Sequence, residues 1–346
     1  MIQRSQTKFR KQIVVGYLFL ILANAGVWVW ALLAFHDKPL LFGTALLAYT
    51  FGLRHAVDAD HIAAIDNVTR KLMQEGKRPI TVGFFFSLGH STIVVIVSLI
   101  VYLTAFAAKD RMEILKGFGE LVGTSISAFF LISIAIINLI ILRNVWTVFK
   151  KVRSGGAVPE SGQDALTGGG LISRMFRPLF QMLNSPWQMY PVGFLFGLGF
   201  DTATEVALLG ISAAAAAKNL PLASVAVFPA LFTAGMILVD TTDGILMVGA
   251  YGWAFINPIR KMYYNLTVTF ASVAVALLIG GLELAGLLKD QLSLQGGAWD
   301  LVGGLNDNFG NLGFVLIGLF VLSWIGSMVL YRVKGFDRLQ SSVAAD

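Results

Sequence analysis

Long stretches of this sequence carry no charged side chain. Residues 13–35, 80–108 and 312–331 contain no Asp, Glu, Lys or Arg. About 20 apolar residues in a helix cross the roughly 30 Å of hydrocarbon in a bilayer. Eight segments reach that length: residues 13–35, 39–65, 80–108, 118–142, 189–217, 222–253, 263–288 and 312–331. The second begins as an apolar helix and then turns polar. In hydrocarbon every backbone polar group needs an internal partner, which favours helices for such segments. The expected fold class is all-α, a polytopic membrane protein with eight transmembrane helices whose first partner is the lipid bilayer. A cleavable leader is not expected, because the first run is long and ends in Phe35-His36-Asp37 rather than in small residues.

Composition agrees. The chain has 26 Lys and Arg and 20 Asp and Glu among 346 residues, where a soluble chain of this length would carry roughly 85 charges. The absence of cysteine removes disulfides, thiolate metal sites and cysteine nucleophiles. The basic surplus has a topological explanation and calls for no nucleic-acid partner. Alternating the eight segments across the membrane puts 19 basic residues in one set of loops and 6 in the other, with Arg54 inside a span. Positive charge collects on the cytoplasmic side, so both termini are expected in the cytoplasm. In this scheme Arg70, Lys71, Lys77 and Arg78 belong to a cytoplasmic loop.

Residues 154–170 hold six glycines with Ser, Pro and acidic residues and read as a flexible linker. The expected organisation is residues 1–153 as a first four-helix half, 154–186 as a cytoplasmic linker and 187–346 as a second half. The outer stretch 289–311, with Asp290, Asp300 and Asp307, reads as a solvated loop. Two short echoes suggest duplication. Residues 82–92 and 192–202 agree at 7 of 11 positions. Phe51-Gly52-Leu53 with Asp58-Ala59 and Ile62-Ala63 parallels Phe196-Gly197-Leu198 with Asp201-Thr202-Ala203 and Val206-Ala207. Only the second pairing joins segments of opposite direction, as an inverted repeat requires.

Ionisable groups inside a membrane are costly and mark function. Residues 39–65 carry Arg54-His55-Ala56-Val57-Asp58-Ala59-Asp60-His61, followed by Asp66-Asn67. On one continuous helix His55, Asp58 and His61 form a stripe about 120° wide. Asp60 points about 160° from Asp58 and orients a ligand or meets a charge elsewhere. Arg54 and Asp58 are spaced to pair. Further polar groups are Ser87, His90 and Ser91; Asp201, Thr202 and Glu205; and Asp240 and Asp243. His61, His90, Asp201 and Asp243 all fall roughly 14–18 Å from the cytoplasmic ends of their segments. That is near the midplane, where secondary transporters hold substrate.

Taken singly these residues have ordinary readings. A lone membrane histidine such as His90 bridges helices, Asp201 and Glu205 hold packing or relay protons, and Gly193, Gly197 and Gly199 admit close helix approach. The His55, Asp58 and His61 set is different. Two imidazoles and up to three carboxylates against one arginine leave negative charge that a divalent cation would neutralise. Imidazole with carboxylate and no sulfur suits nickel, cobalt, zinc or iron(II), and two histidines argue against magnesium and calcium. A proton-coupled permease for an organic solute uses similar groups and stays an alternative. No enzyme activity is expected, since the His-Glu-x-x-His helix of metallohydrolases is missing, and no Gly-x4-Gly-Lys-Ser/Thr loop is present for an ATP motor.

At these four clusters the sequence resembles the nickel/cobalt transporter family of bacterial and fungal permeases. The family's His-x4-Asp-His motif matches His55-Ala56-Val57-Asp58-Ala59-Asp60-His61. Phe86-Ser87-Leu88-Gly89-His90-Ser91-Thr92, Leu198-Gly199-Phe200-Asp201-Thr202-Ala203-Thr204-Glu205 and Gly235-Met236-Ile237-Leu238-Val239-Asp240-Thr241-Thr242-Asp243 are similar to its other motifs. The resemblance implies high-affinity uptake of Ni²⁺, Co²⁺ or both across a bacterial cytoplasmic (inner) membrane. The metal ion would be substrate, with no cofactor and no catalytic residue. His55, Asp58, His61 and His90 would hold the ion. Arg54, Asp60, Asp66, Asn67, Ser87, Ser91, Asp201, Thr202, Glu205, Asp240 and Asp243 would orient those ligands or line the path. A related branch exports these ions and carries a His-rich cytoplasmic loop. Residues 154–186 contain no histidine, which favours import over efflux by the same fold.

Overall fold

A computed structural model describes residues 2–104, 109–153, 183–199, 202–254 and 258–333. The described residues are helical throughout and contain no strand. In chain order the helices are α1 (Ile2–Phe35), α2 (Pro39–His55), α3 (Ala59–Gln74), α4 (Val82–Thr104), α5 (Lys109–Arg153), α6 (Met189–Phe196), α7 (Ala203–Ala217), α8 (Leu222–Val225), α9 (Val227–Ala254), α10 (Pro258–Gln291), α11 (Gly297–Asp307) and α12 (Phe309–Val333). Among the described residues five helical stretches are long and apolar enough to cross a membrane, and up to seven if each of two bent pairs counts as one span. The chain is a multi-pass membrane protein by this architecture. Leu18, Phe19, Leu33, Leu278 and Leu322 point outward from it, as lipid-facing side chains do.

Four differences from the sequence reading matter. Residues 39–65 are not one helix: α2 ends at His55, α3 begins at Ala59, and the two meet at 51°. Asp58 takes the extended conformation of an N-cap, with φ −66° and ψ 148°, and the turn closes through Val57 N–H to the Arg54 carbonyl and Asp58 N–H to the His55 carbonyl. Residues 189–217 are likewise split into α6 and α7, with Thr202 as the extended N-cap of α7. Stretch 289–311 is no plain loop but holds the exposed helix α11. The linker expected over 154–186 lies outside the described residues up to 182.

Helix α3 continues past the expected span end and is buried almost throughout. Arg70 and Lys71 are therefore inside the protein, not in a cytoplasmic loop. The cause is the neighbourhood: α4, α5, α9, α10 and α12 all touch α3, so a polar helix is screened by protein rather than by water. It ends in a Schellman motif. Gly76, with φ +81°, and Lys77 donate to the carbonyls of Met73 and Leu72.

The heaviest packing joins helices from opposite sides of residues 154–182. α5 lies along α10, α9 along α2, and α4 along α6. The close approaches depend on glycine. A Cβ at Gly52 would overlap the Phe232 carbonyl, one at Gly89 the Tyr190 carbonyl, and one at Gly193 the Phe86 carbonyl. Close helix packing is thus the role of Gly193, as expected.

Candidate metal centre

The two helix breaks sit beside α4 and α9, and the side chains at the breaks meet there. His55 is the last residue of α2, His61 the third of α3, and His90 the ninth of α4. All three are buried. Each offers one ring nitrogen such that the three nitrogens lie within 4.8 Å of one another. His55 Nε2 and His90 Nε2 stand 2.9 Å apart.

Carboxylates fix the rings. The Nδ1 of His55 donates to Asp58 Oδ2 at 2.9 Å, and that of His61 to Asp240 Oδ2 at 3.0 Å. The Nε2 nitrogens are left for the centre, and that of His61 has no hydrogen-bond partner. This carboxylate–imidazole arrangement orients a metal-ligating histidine and raises its basicity. His90 Nε2 lies 3.0 Å from Glu205 Oε1, which is also 3.7 Å from His55 Nε2. Thr202 donates to Glu205 Oε2 at 3.0 Å, and Ser87 to Asp240 Oδ2 at 2.5 Å. Phe232 and Phe86 wall the site, with ring centroids 5.5 Å from His55 and 4.8 Å from His61.

Asp58 has both oxygens engaged, Oδ2 by His55 and Oδ1 by Arg54 Nη1 at 2.8 Å. The expected Arg54–Asp58 pair is therefore present. The carboxylates of Asp58, Glu205 and Asp240 around the imidazoles outnumber the one described cation there, Arg54. A divalent cation offsets such an excess, and an unbalanced buried charge is otherwise strongly disfavoured.

The break adds a field of its own. Helix α2 ends at His55, and α6 ends at Phe196, whose ring packs on Phe86 beside His61; a helix C-terminus favours a cation. The opposing N-termini of α3 and α7 carry Asp60 and Glu205 in their first turns, which offsets their positive ends.

Of the remaining sequence-derived residues, Asp66 and Asn67 sit farther along α3, where Ser272 donates to Asp66 and Arg70 to Asn67. Asp243 lies one turn beyond Asp240 on α9. Ser91 is buried on α4 beside His90. Asp201 lies outside the described residues. Sequence reasoning missed Thr204, whose hydroxyl is 3.4 Å from His55 Nδ1. It also missed Arg70, Asn138 and Ser272. Asn138 carried a signal, being an amide within an otherwise apolar run; Arg70 was hidden by its apparent place in a loop.

The high-affinity nickel-transport protein family model, NicO, matches residues 41–330. The chain is 55% identical over 329 residues to the high-affinity nickel transport protein of Cupriavidus necator, covering 95% of this chain and 94% of that one. It is 51% identical to the hydrogenase nickel incorporation protein HupN of Bradyrhizobium diazoefficiens, covering 95% and 87%. It is 39% identical to the cobalt transport protein NhlF of Rhodococcus rhodochrous, covering 85% and 84%. No solved structure matches. With the match extending across the helices that build the centre, the chain belongs to the high-affinity nickel-transport protein family.

Proposed function

We propose that this protein is a secondary transporter for high-affinity uptake of Ni²⁺, Co²⁺ or both, and that the ion binds among His55, His61 and His90. The three converging imidazoles within 4.8 Å carry the reading. Two nitrogens bound to one ion at right angles, each at about 2.1 Å, stand about 3.0 Å apart, against about 3.4 Å in a tetrahedron. The 2.9 Å between His55 and His90 suits the first case, so an ion can replace the shared proton at this separation. Glu205 is placed to complete the sphere. Asp58 takes the role of orienting His55, whose Nδ1 it holds, while Arg54 steadies its other oxygen.

The eight segments, counting α2 with α3 and α6 with α7 as broken spans, give cytoplasmic termini in a bacterial inner membrane. The glycine contacts support an inverted repeat. Gly52 lies three residues before the end of α2, and Gly193 three before the end of α6; their partners Phe232 and Phe86 each precede a close-packed glycine, Gly235 and Gly89, by three residues. Each broken helix thus runs alongside one intact helix in the same manner, with α2, α4 and α5 answering to α6, α9 and α10. A membrane potential of 100 mV, negative inside, drives a divalent ion inward by about 4.6 kcal/mol.

The test is radioactive nickel and cobalt uptake by cells producing the protein, with and without an uncoupler. Accumulation should fall at least tenfold in His55→Ala and His61→Ala. Unchanged accumulation in both variants rules out the histidine centre.

A further inference from the structure

Below His61 the polar seam continues. Helices α3 and α9 run side by side in one direction: Phe232 stands against His55, Asp240 against His61, Gly244 beside Ile65, and Val248 against Met73. Along this seam Asp66 and Asp243 follow His61 and Asp240 by roughly 5–8 Å. Asp66 is fully buried, and its Oδ2 accepts from Ser272 at 2.5 Å. Asp243 Oδ2 is sealed from solvent without a hydrogen-bond partner, and among the described residues the charges that act on Asp243 are those of Asp240 and Asp66.

Arg70 comes one turn later and is 1% exposed. Its Nη2 donates to Asn67 Oδ1 at 2.8 Å, and Asn138 holds that same oxygen at 2.8 Å. Its Nε lies 4.0 Å from Asp66 Oδ2, and neither Nε nor Nη1 has a hydrogen-bond acceptor. A guanidinium built as a structural partner engages a carboxylate through two short parallel bonds. This one reaches toward the acidic pair without closing on it, at a cost in buried unsatisfied donors. Beyond it Met73 and Val248, with Phe9, Ile80 and Met247, form an apolar cluster.

We propose that Asp66 and Asp243 form a second divalent-cation station on the cytoplasmic side of the histidine centre, guarded by the tethered Arg70 guanidinium beside Asp66 until the metal arrives. The proposal rests on the transport reading above. Two carboxylates and one guanidinium are one positive charge short of neutrality, so an incoming divalent ion neutralises the pair and pushes Arg70 away from Asp66. Oxygen ligands hold nickel or cobalt less firmly than imidazole does, which suits a station that releases. When Arg70 swings back, its charge opposes return of the ion to His61.

Full-length protein in nanodiscs titrated with NiCl₂ tests this. Wild type should bind one ion per chain, Arg70→Gln two, and Arg70→Gln with Asp243→Asn one again, while Arg70→Lys restores the single ion. Asp243→Asn alone should keep one ion with affinity within about threefold of wild type, yet lower cellular nickel uptake at least tenfold. One ion in Arg70→Gln overturns the proposal, as does undiminished uptake in Asp243→Asn; the second arm decides if Arg70→Gln fails to fold. Loss of the wild-type ion in His61→Ala keeps the histidine centre standing whichever way these arms fall. Retention of that ion in His61→Ala overturns the centre instead.

Discussion

An imidazole presents a metal with a defined nitrogen only if its other nitrogen is held. Asp58 does this for His55 and Asp240 for His61, and Ser87 in turn holds Asp240. Losing such a carboxylate partner typically costs 10–100-fold in metal affinity. Asp58→Asn and Asp240→Asn are therefore expected to weaken nickel binding about 10–100-fold, measured by equilibrium dialysis of purified protein, while the number of ions per chain stays the same. A lost stoichiometric ion in Asp58→Asn would make Asp58 a ligand. The histidines were legible in the sequence because ionisable groups inside apolar runs are rare and expensive. Their partners were not fully legible. His61 pairs with Asp240 across 179 positions, and no local spacing encodes that contact. Arg70 was misread because a polar helix surrounded by other helices has the hydropathy of a loop.

At the scale of elements, the two breaks do what a continuous helix could not. On one helix His55 and His61 would lie about 9 Å apart along the axis. The bend at residues 56–58 instead brings their ring centroids to 4.7 Å. Periodicity arguments assume a helix continues, so they found the stripe but not the bend that brings its two histidines together. Helix α12 covers the break: a Cβ at Gly313 would overlap the Val57 carbonyl, and Arg54 lies over the Phe314 ring at 5.5 Å. The α4–α6 crossing positions His90 equally tightly. Gly89→Ala drives a methyl into the Tyr190 carbonyl, and backbone collisions of this kind cost about 1–3 kcal/mol. That variant should melt lower than wild type in detergent and lose nickel uptake. Gly16→Ala, which meets nothing within 4 Å, should match wild type in both. Equal melting temperatures for the two variants would refute the close crossing.

Across the whole molecule, the halves flanking residues 154–182 interlace: α5 with α10, α2 with α9, and α4 with α6. In the inverted-repeat arrangement proposed above, a site between the two halves is exposed to either face by rocking one against the other, with no energy input beyond the ion's own gradient and the membrane potential. That mechanism needs a fixed sidedness, which is open to direct measurement because the chain has no cysteine and an introduced one is the only thiol. Asp37 and Gln295 are exposed between α1 and α2 and between α10 and α11, and Arg78 is exposed between α3 and α4. With cytoplasmic termini and broken spans that cross completely, Asp37→Cys and Gln295→Cys should react with an impermeant maleimide on intact cells. Arg78→Cys should react only after permeabilisation. If α3 turned back instead of crossing, Arg78→Cys would label from outside as fast as Asp37→Cys, and the seam from His61 to Arg70 would then lead away from the cytoplasm.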